Sequence, residues 1–355
     1  MLHCTIYRKL MFIHTISDTI DRALNAAGLN SRSGSVKTVM ATIRAALDAA
    51  GLRQSEAGVP TAERPTGRTA PHGRFLSRAY SGPAGDRAYK VYIPAAYRGA
   101  PMPLVVMLHG CKQNPDDFAA GTRMNALAEE HGFLVAYPAQ SANANGSNCW
   151  NWFQGKHQRR DGGEPAILAG IVAEIADDCR VDERRVYVAG LSAGAAMAVI
   201  LGETHPDVFA AVGAHSGLPF GAAHDVGSAF AAMHGGTQAP AAPRAIPTIV
   251  FHGDRDTTVS PKNGAAIFEQ TVALLGDKAG TPLTRNVREH VSAKGRHHTS
   301  TVYADGAGQP RAEQWMLHGG GHAWSGGSAA GSYADEKGPD ASAEMVRFFM
   351  AQRRA

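Results

Sequence analysis

Short hydrophobic runs alternate with amphipathic stretches over most of the chain. The strand-like segments are 87–94 (RAYKVYIP), 103–110 (PLVVMLHG), 132–138 (GFLVAYP), 185–190 (RVYVAG), 246–253 (IPTIVFHG) and 312–319 (AEQWMLHG). Helical spacing of apolar residues occurs near 117–131, 165–178, 193–204, 263–275 and 340–351. Strands that alternate with helices are typical of a mostly parallel sheet with helices on both faces. The pattern therefore predicts one α/β domain over residues 79–355.

The first part of the chain has a different pattern. Residues 19–29 (TIDRALNAAGL) and 42–52 (TIRAALDAAGL) agree at eight of eleven positions, and each has helical spacing and a glycine suited to a C-terminal cap. We interpret residues 1–52 as an N-terminal helical extension. Because two helices cannot bury a core of their own, we expect them to pack on the main domain, on a partner or on an apolar surface. Residues 53–78, rich in Pro, Gly and charge, predict a linker.

Residues 186–199 (VYVAGLSAGAAMAV) predict a strand that turns sharply into a helix. Ser192 lies at the carboxyl end of this strand, and the small Gly190 and Gly194 allow a tight turn that exposes the serine hydroxyl. The same turn places the Ala193 amide at the start of the helix, where it can stabilise an oxyanion. Because G-x-S-x-G also occurs by chance in a chain with 40 glycines, the assignment depends on the strand before it and the helix after it.

A nucleophilic serine needs a base that a carboxylate orients, and two acids follow the strand 246–253. We favour Asp256, because it lies a turn beyond the strand with Val259 as a packing anchor behind it. Asp254 is the alternative, and an aspartate beside a glycine more often caps its own turn.

Two histidines compete for the role of the base after the strand 312–319. We favour His322, because the three glycines before it allow the loop to curl back over the site. His318, at the end of the strand, is the alternative and is expected to be packed. The order serine, acid, histidine, each after a later strand, is the one that this kind of fold requires.

The loop after the strand 103–110 is expected to supply the second oxyanion donor. His109 and Gly110 turn the chain out of the strand, so that the Cys111 amide can face Ser192.

Three tryptophans are candidates for a substrate pocket, together with His109. Trp150 and Trp152 lie in the polar loop SNCWNWF, and Trp324 follows His322 by two residues. Burial in the core is the alternative for Trp150 and Trp152 and is the commoner outcome for tryptophan, but their polar neighbours favour at least one of them lining a cleft.

Composition excludes several classes of function. The net charge of +4 is mild and the basic residues are scattered, so nothing indicates a nucleic-acid partner. No run of 18 apolar residues predicts a transmembrane segment. The cysteines Cys4, Cys111, Cys149 and Cys179 are too few and too widely spaced for a disulfide framework or a zinc module, and no histidine and carboxylate spacing suggests a metal. We therefore expect no metal and no cofactor.

Six segments, in this order, resemble the esterases of the poly(3-hydroxybutyrate) depolymerase family, which have the α/β-hydrolase fold. They are LHGC.Q, CWNWF, GLSAGAAM, HGDRDTTV, GGGHAWSGG and DASAEMVRFF, and the resemblance covers about residues 80 to 350. It implies Ser192 as nucleophile, Asp256 as acid, His322 as base, and Cys111 and Ala193 as oxyanion donors. The motifs of Cys111 and Cys149 both border the family's active site, which suggests a disulfide across its rim.

The resemblance predicts a serine esterase that cleaves hydroxyalkanoate polyesters or their oligomers through an acyl-enzyme. A feruloyl or acetyl-xylan esterase is the alternative within the enzymes. A non-catalytic protein that binds a granule or a partner through its N-terminal helices is the alternative from another class. In MLHCTIYRKLMFIHTI, His14 interrupts the apolar patch and no small-residue cleavage site follows. This predicts a cytoplasmic protein, although the family includes extracellular members, and we expect no polymer-binding module after the catalytic domain.

Overall fold

A computed structural model of the protein describes residues 73–236, 245–279 and 282–354. The chain divides into two units between Arg68 and Thr69. The helical extension predicted for residues 1–52 and most of the predicted linker lie outside the described residues.

Ten strands form one mixed sheet in the order β1-β2-β4-β3-β5-β6-β7-β10-β9-β8. The six central strands of this order, β4 to β10, are parallel to one another. On each side of them, the two outer strands pair in antiparallel fashion, both with each other and with the central strand that they adjoin. The strands are β1 Arg74–Gly82, β2 Gly85–Ile93, β3 Met102–Leu108, β4 Leu134–Pro138, β5 Val181–Leu191, β6 Ala211–His215, β7 Thr248–Gly253, β8 Thr284–Val291, β9 His297–Ala304 and β10 Pro310–Leu317. Two further short strands, β11 Trp324–Ser325 and β12 Ala334–Asp335, pair in parallel beyond this sheet.

The seven α-helices of the described residues lie on both faces of the sheet. They are α1 Pro115–Thr122, α2 Met124–His131, α3 Gly163–Asp178, α4 Ala193–Thr204, α5 Val226–Gly235, α6 Pro261–Ala279 and α7 Ala341–Met350. The sheet has a hydrophobic core on each face, and alternate residues of β3 pack into one core or the other. Val106 packs in a cluster with α3 and α4, while Val105 packs in a cluster with α1, α2 and α7. No helix of the described residues is long and apolar enough to cross a membrane.

The six strands predicted from hydrophobic runs are present as β2, β3, β4, β5, β7 and β10. The predicted linker extends too far, because residues 74–78 belong to β1, which pairs with β2 along its whole length. The sequence analysis also missed β6, α5 and the hairpin of β8 and β9. All eight residues of β8 are exposed, so this strand lacks the apolar alternation that predicts a strand.

Candidate active site

The turn between β5 and α4 holds Ser192 in a strained conformation. Its φ of 57° and ψ of −120° lie outside the regions that a serine normally adopts. A Cβ on Gly190 would overlap the backbone of Gly194, and a Cβ on Gly194 would overlap the carbonyl of Leu108. Only glycine fits at either position, as the sequence predicts for a nucleophile elbow. Such strain costs about 1–3 kcal/mol and is typical of functional sites.

The two amides at this turn have different roles. The N–H of Ser192 donates to the carbonyl of His215 on β6 at 2.9 Å, so it is not free for a substrate. Ala193 is the first residue of α4, and the first N–H groups of a helix have no partner within the helix. Its amide lies at the positive end of the helix dipole, which suits it to a developing negative charge.

Asp256 and His322 form a buried imidazole–carboxylate pair. The Nδ1 atom of His322 lies 2.7 Å from Oδ2 of Asp256, whose side chain is fully buried, while the His322 side chain is 12% exposed. The other carboxylate oxygen accepts the N–H groups of Thr258 and Val259, each at 2.9 Å. Three donors therefore fix the orientation of the carboxylate.

These contacts set the charge of the pair. Burial by itself raises the pKa of Asp256, but His252, whose Nε2 atom lies 3.5 Å from Oδ2, together with His322 and the hydrogen bond from the Val259 N–H, outweighs it and holds the pKa well below its ordinary value. Asp256 is thus a carboxylate that accepts the N–H of His322 at Nδ1. The Nε2 atom of His322 is then the unprotonated ring nitrogen, which can accept a proton from a nucleophile.

Asp254 and His318, the alternatives weighed from the sequence, pair with each other instead. The Nδ1 atom of His318 lies 3.0 Å from Oδ2 of Asp254, and its Nε2 atom lies 2.8 Å from Oγ1 of Thr299. Both ring nitrogens of His318 are therefore engaged. His318 was expected to be packed, but its side chain is 44% exposed. Asp254 does not cap its own turn but accepts the N–H of Gly319 at 2.7 Å.

The topology places the three predicted triad residues at one edge of the sheet. Ser192 follows β5 and Asp256 follows β7, and only β6 separates these strands, so the strands are about 10 Å apart. His322 follows β10, and its loop crosses the end of β7: the Arg255 N–H donates to Gly320 O at 3.0 Å. A Cβ on Gly253 would strike this loop.

The loop after β3 lies against the same turn, because the carbonyls of Leu108 and His109 contact Gly194. Cys111 and Cys149 form a disulfide, as the resemblance suggested. The Gly110 N–H donates to Oε1 of Gln113 at 2.9 Å, and the Lys112 N–H donates to Ser147 O at 2.8 Å. The amides on both sides of Cys111 thus have partners in the protein, one in this loop and one in the segment before Cys149.

Similarity to known proteins shows the family of this chain. The family model "Esterase PHB depolymerase" matches residues 87–293. The chain belongs to this esterase family. It is 35% identical over 236 residues to Poly(3-hydroxyalkanoate) depolymerase C of Paucimonas lemoignei, covering 62% of this chain and 54% of the relative. It is 27% identical over 226 residues to the probable acetylxylan esterase A of Aspergillus fumigatus, covering 57% of this chain and 58% of that protein.

The chain thus spans about half the length of the curated relatives that it matches. A solved structure, the acetyl xylan esterase from Aspergillus awamori, superposes with a TM-score of 0.62 over 79% of this chain and 100% of its own, at 19% identity. This likeness shows an α/β-hydrolase-like fold.

In this member of the PHB depolymerase family, the predicted substrate-binding side chains are core residues. Trp150 is fully buried, and Trp324 and His109 are 1% exposed. The indole N–H of Trp150 donates to His109 O at 3.0 Å, and that of Trp324 donates to Oγ of Ser342 at 3.0 Å. Trp152 is 5% exposed. All four side chains are therefore buried in the structure, and a role for them in substrate binding stays a prediction.

The sequence does not predict a buried carboxylate that lies beside the CWNWF loop. Glu164 is completely buried and accepts the backbone and side-chain N–H groups of Asn151, each at 2.8 Å. It also accepts a hydrogen bond from Gln140, which in turn is bonded to Arg87. This network holds the CWNWF loop, but in the sequence Glu164 has only the features of an acidic residue in the first turn of a helix.

No group of three or more His, Cys, Asp or Glu side chains within the described ranges is arranged to hold a metal ion.

Proposed function

We propose that the protein is a serine carboxylic-ester hydrolase with Ser192 as nucleophile, His322 as base and Asp256 as the orienting acid. The observation that carries this proposal is the 2.7 Å bond between His322 and Asp256 at the sheet edge where the strained Ser192 also lies. Ser192 is half-buried.

In the proposed reaction, Nε2 of His322 takes the proton from the Ser192 hydroxyl as the oxygen attacks the ester carbonyl carbon. Asp256 stabilises the imidazolium that forms, and the amides of Cys111 and Ala193 bind the oxyanion. His322 then gives its proton to the leaving alkoxide, and an acyl-enzyme remains. His322 then takes a proton from a water molecule as the water oxygen attacks the acyl carbon. The bond between the acyl carbon and Ser192 Oγ breaks, His322 returns the proton to Oγ, and the acid is released.

The substrates that we propose are poly(3-hydroxybutyrate)-type polyesters or short hydroxyalkanoate oligomers. The family assignment and the relative from Paucimonas lemoignei support this class. A carbohydrate esterase is the second candidate. It is supported by the acetylxylan esterases among the relatives and by the Feruloyl esterase B of Neurospora crassa, which is 32% identical over 139 residues. That match covers 39% of this chain and 46% of the relative.

The proposed domain arrangement places this activity in residues 79–355, extended by β1, and leaves residues 1–52 as a separate helical unit. The N-terminal helices are proposed to contact an apolar surface or a partner.

A substrate panel tests the proposal. Purified protein is incubated with hydroxybutyrate oligomers, amorphous poly(3-hydroxybutyrate), acetylated xylo-oligosaccharides and feruloylated sugars, and the released acids are measured. Ser192→Ala removes the nucleophile, and Ser81→Ala, on the exposed edge strand β1, is the matched control. We expect the hydroxybutyrate substrates to be cleaved by the wild type and the control only.

Preferential cleavage of the acetylated or feruloylated substrates would favour the second candidate. Absence of cleavage of all substrates, together with no covalent labelling of Ser192 by a fluorophosphonate, would contradict the enzyme and favour a binding protein.

A further inference from the structure

A buried histidine that the proposed mechanism does not use lies beneath the site. His215 is the last residue of β6, between β5 and β7, and it is completely buried. Its ring lies between two aromatic rings, with centroid distances of 5.8 Å to Phe251 and 5.3 Å to Trp324. Aromatic packing of this kind fixes the plane of the imidazole.

Both ring nitrogens of His215 have partners. The N–H of Ser325 donates to Nε2 at 3.0 Å, so Nε2 carries no proton. The Nδ1 atom then carries the hydrogen and faces Oγ of Ser216 at 3.2 Å. Burial, followed by the nearby His252 and His322, lowers the pKa of His215 to about 3, so the ring stays neutral at physiological pH. Because the Nε2 lone pair is engaged by the Ser325 N–H, the ring does not compete with His322 for the proton of the nucleophile.

His215 also contacts the turn that carries Ser192. Its backbone carbonyl accepts the N–H of Ser192 at 2.9 Å. His215 therefore contacts the backbone of Ser192 on one side and, through its side chain, the backbone of Ser325, three residues after His322. Ser325 belongs to the two-residue strand β11, at the end of the loop that carries His322. The N–H groups on either side of Ser325 donate to β12 and the residue before it, Trp324 to Tyr333 O at 2.6 Å and Gly326 to Asp335 O at 2.8 Å, whereas the N–H of Ser325 itself donates to His215.

We propose that His215 is a positioning residue for the esterase reaction: its Nε2 atom anchors the loop that carries His322 and so sets the place of the base relative to Ser192. This inference rests on the proposed function of Ser192 and His322. Only the hydrogen bond at Nε2 depends on the histidine side chain. The hydrogen bond from the Ser192 N–H is accepted by the backbone carbonyl, which any residue at position 215 supplies.

Three substitutions separate the acceptor from the bulk of the ring. His215→Leu removes the acceptor, His215→Gln places an amide oxygen close to the position of Nε2, and His215→Asn places it close to the position of Nδ1. His205 is the matched control, because it is also buried but lies at the opposite edge of the sheet, between the end of α4 and the start of β6. His205→Leu and His205→Gln report the cost of altering a buried histidine away from the site.

The rates of hydrolysis of a soluble p-nitrophenyl ester are measured per active site, titrated with a fluorophosphonate, so that unfolded protein does not count. We expect His215→Leu to lower kcat about tenfold or more and to change KM by less than about twofold, because a displaced base slows the chemical step rather than binding. His215→Gln is expected to recover most of kcat, and the His205 variants are expected to keep the wild-type kcat.

Wild-type kcat in both His215→Leu and His215→Gln would overturn the inference, and so would equal losses in the two. If His215→Leu does not fold, the Gln and Asn variants decide: kcat must be higher in His215→Gln, and equal values would refute the role of the acceptor. Failure of the proposed function has a different signature, since the wild type would then neither hydrolyse esters nor be labelled at Ser192.

Discussion

His318 lies 3.0 Å from Asp254 and forms a second imidazole–carboxylate pair at the same edge of the sheet as His322 and Asp256. The two pairs differ in burial. The side chains of Asp254 and His318 are 39% and 44% exposed, whereas Asp256 is fully buried. Exposed ion pairs contribute little to stability, so the outer pair is expected to be dispensable.

Substitution of the two aspartates distinguishes the pairs. We expect Asp256→Asn to lower kcat by about 10³-fold or more, because an amide cannot stabilise the imidazolium or select the tautomer of His322. Asp254→Asn, the matched control, is expected to keep kcat within about twofold. Steady-state kinetics on a p-nitrophenyl ester measures both. A larger loss of kcat in Asp254→Asn than in Asp256→Asn would show that Asp254, not Asp256, is the orienting acid.

Glycines at the nucleophile turn are expected to be intolerant of any side chain. Gly194→Ala places a methyl group against the carbonyls of Leu108 and His109, and overpacking of this kind costs about 1–3 kcal/mol. Urea unfolding is expected to show this loss, together with lower activity. Gly276→Ala is the control of opposite sign, because Gly276 lies within α6 with open space around it. Alanine there is expected to stabilise by about 0.5–1 kcal/mol, and similar effects of the two substitutions would refute the steric argument.

The disulfide is expected to support both stability and catalysis. Cys111 and Cys149 are 38 residues apart, and closing a loop of this length stabilises the fold by about 4 kcal/mol in the chain-entropy model. Because Cys111 also bears a proposed oxyanion amide, Cys149→Ser is expected to lower kcat more than it changes KM.

Reductant provides the complementary measurement for the disulfide. Dithiothreitol is expected to lower the esterase activity of the wild type and to leave the activity of Cys149→Ser unchanged. Cys179 is a buried free thiol, and Cys179→Ala is expected to retain the wild-type sensitivity to reductant. An activity of the wild type that reductant does not affect would argue against a catalytic role for the loop geometry.

Stability is expected to fall in mild acid because of buried neutral histidines. Burial lowers the pKa of His215 from its ordinary value of 6.5 to about 3, so between these pH values the unfolded chain binds a proton that the folded state does not. The free energy of unfolding therefore falls as the pH drops below about 6.5, by up to about 1.4 kcal/mol per pH unit for one such group.

His215→Gln removes this contribution. Urea unfolding at pH 7 and pH 4.5 is expected to show a loss on acidification that is about 2 kcal/mol smaller in His215→Gln than in the wild type. The pKa values of His109, His157, His205 and His298 are also lowered by burial, but these groups titrate in both proteins and cancel in the comparison. Equal losses in the two proteins would show that His215 is protonated in the folded state.

Local patterns in the sequence determined the central strands and the chemistry at their ends. Hydrophobic runs locate β3, β4 and β7, because strands buried on both faces are apolar almost throughout. Gly190 and Gly194 predict the turn at Ser192, because no larger residue fits there. Exposed or small-residue elements, such as β8 and β6, lack this signal, since neighbouring strands rather than their own pattern specify them.

Only the tertiary structure decided which side chains meet. Asp254 and Asp256 are two residues apart, and their partners depend on how the loop after β10 crosses the end of β7, a contact between segments 64–66 residues apart in the chain. The burial of Trp150 depends in the same way on packing from distant elements. So does the bond from Ser325 to His215, 110 residues away. Periodicity and residue type describe a segment and its own faces, whereas these roles arise from contacts between segments that no single stretch of sequence contains.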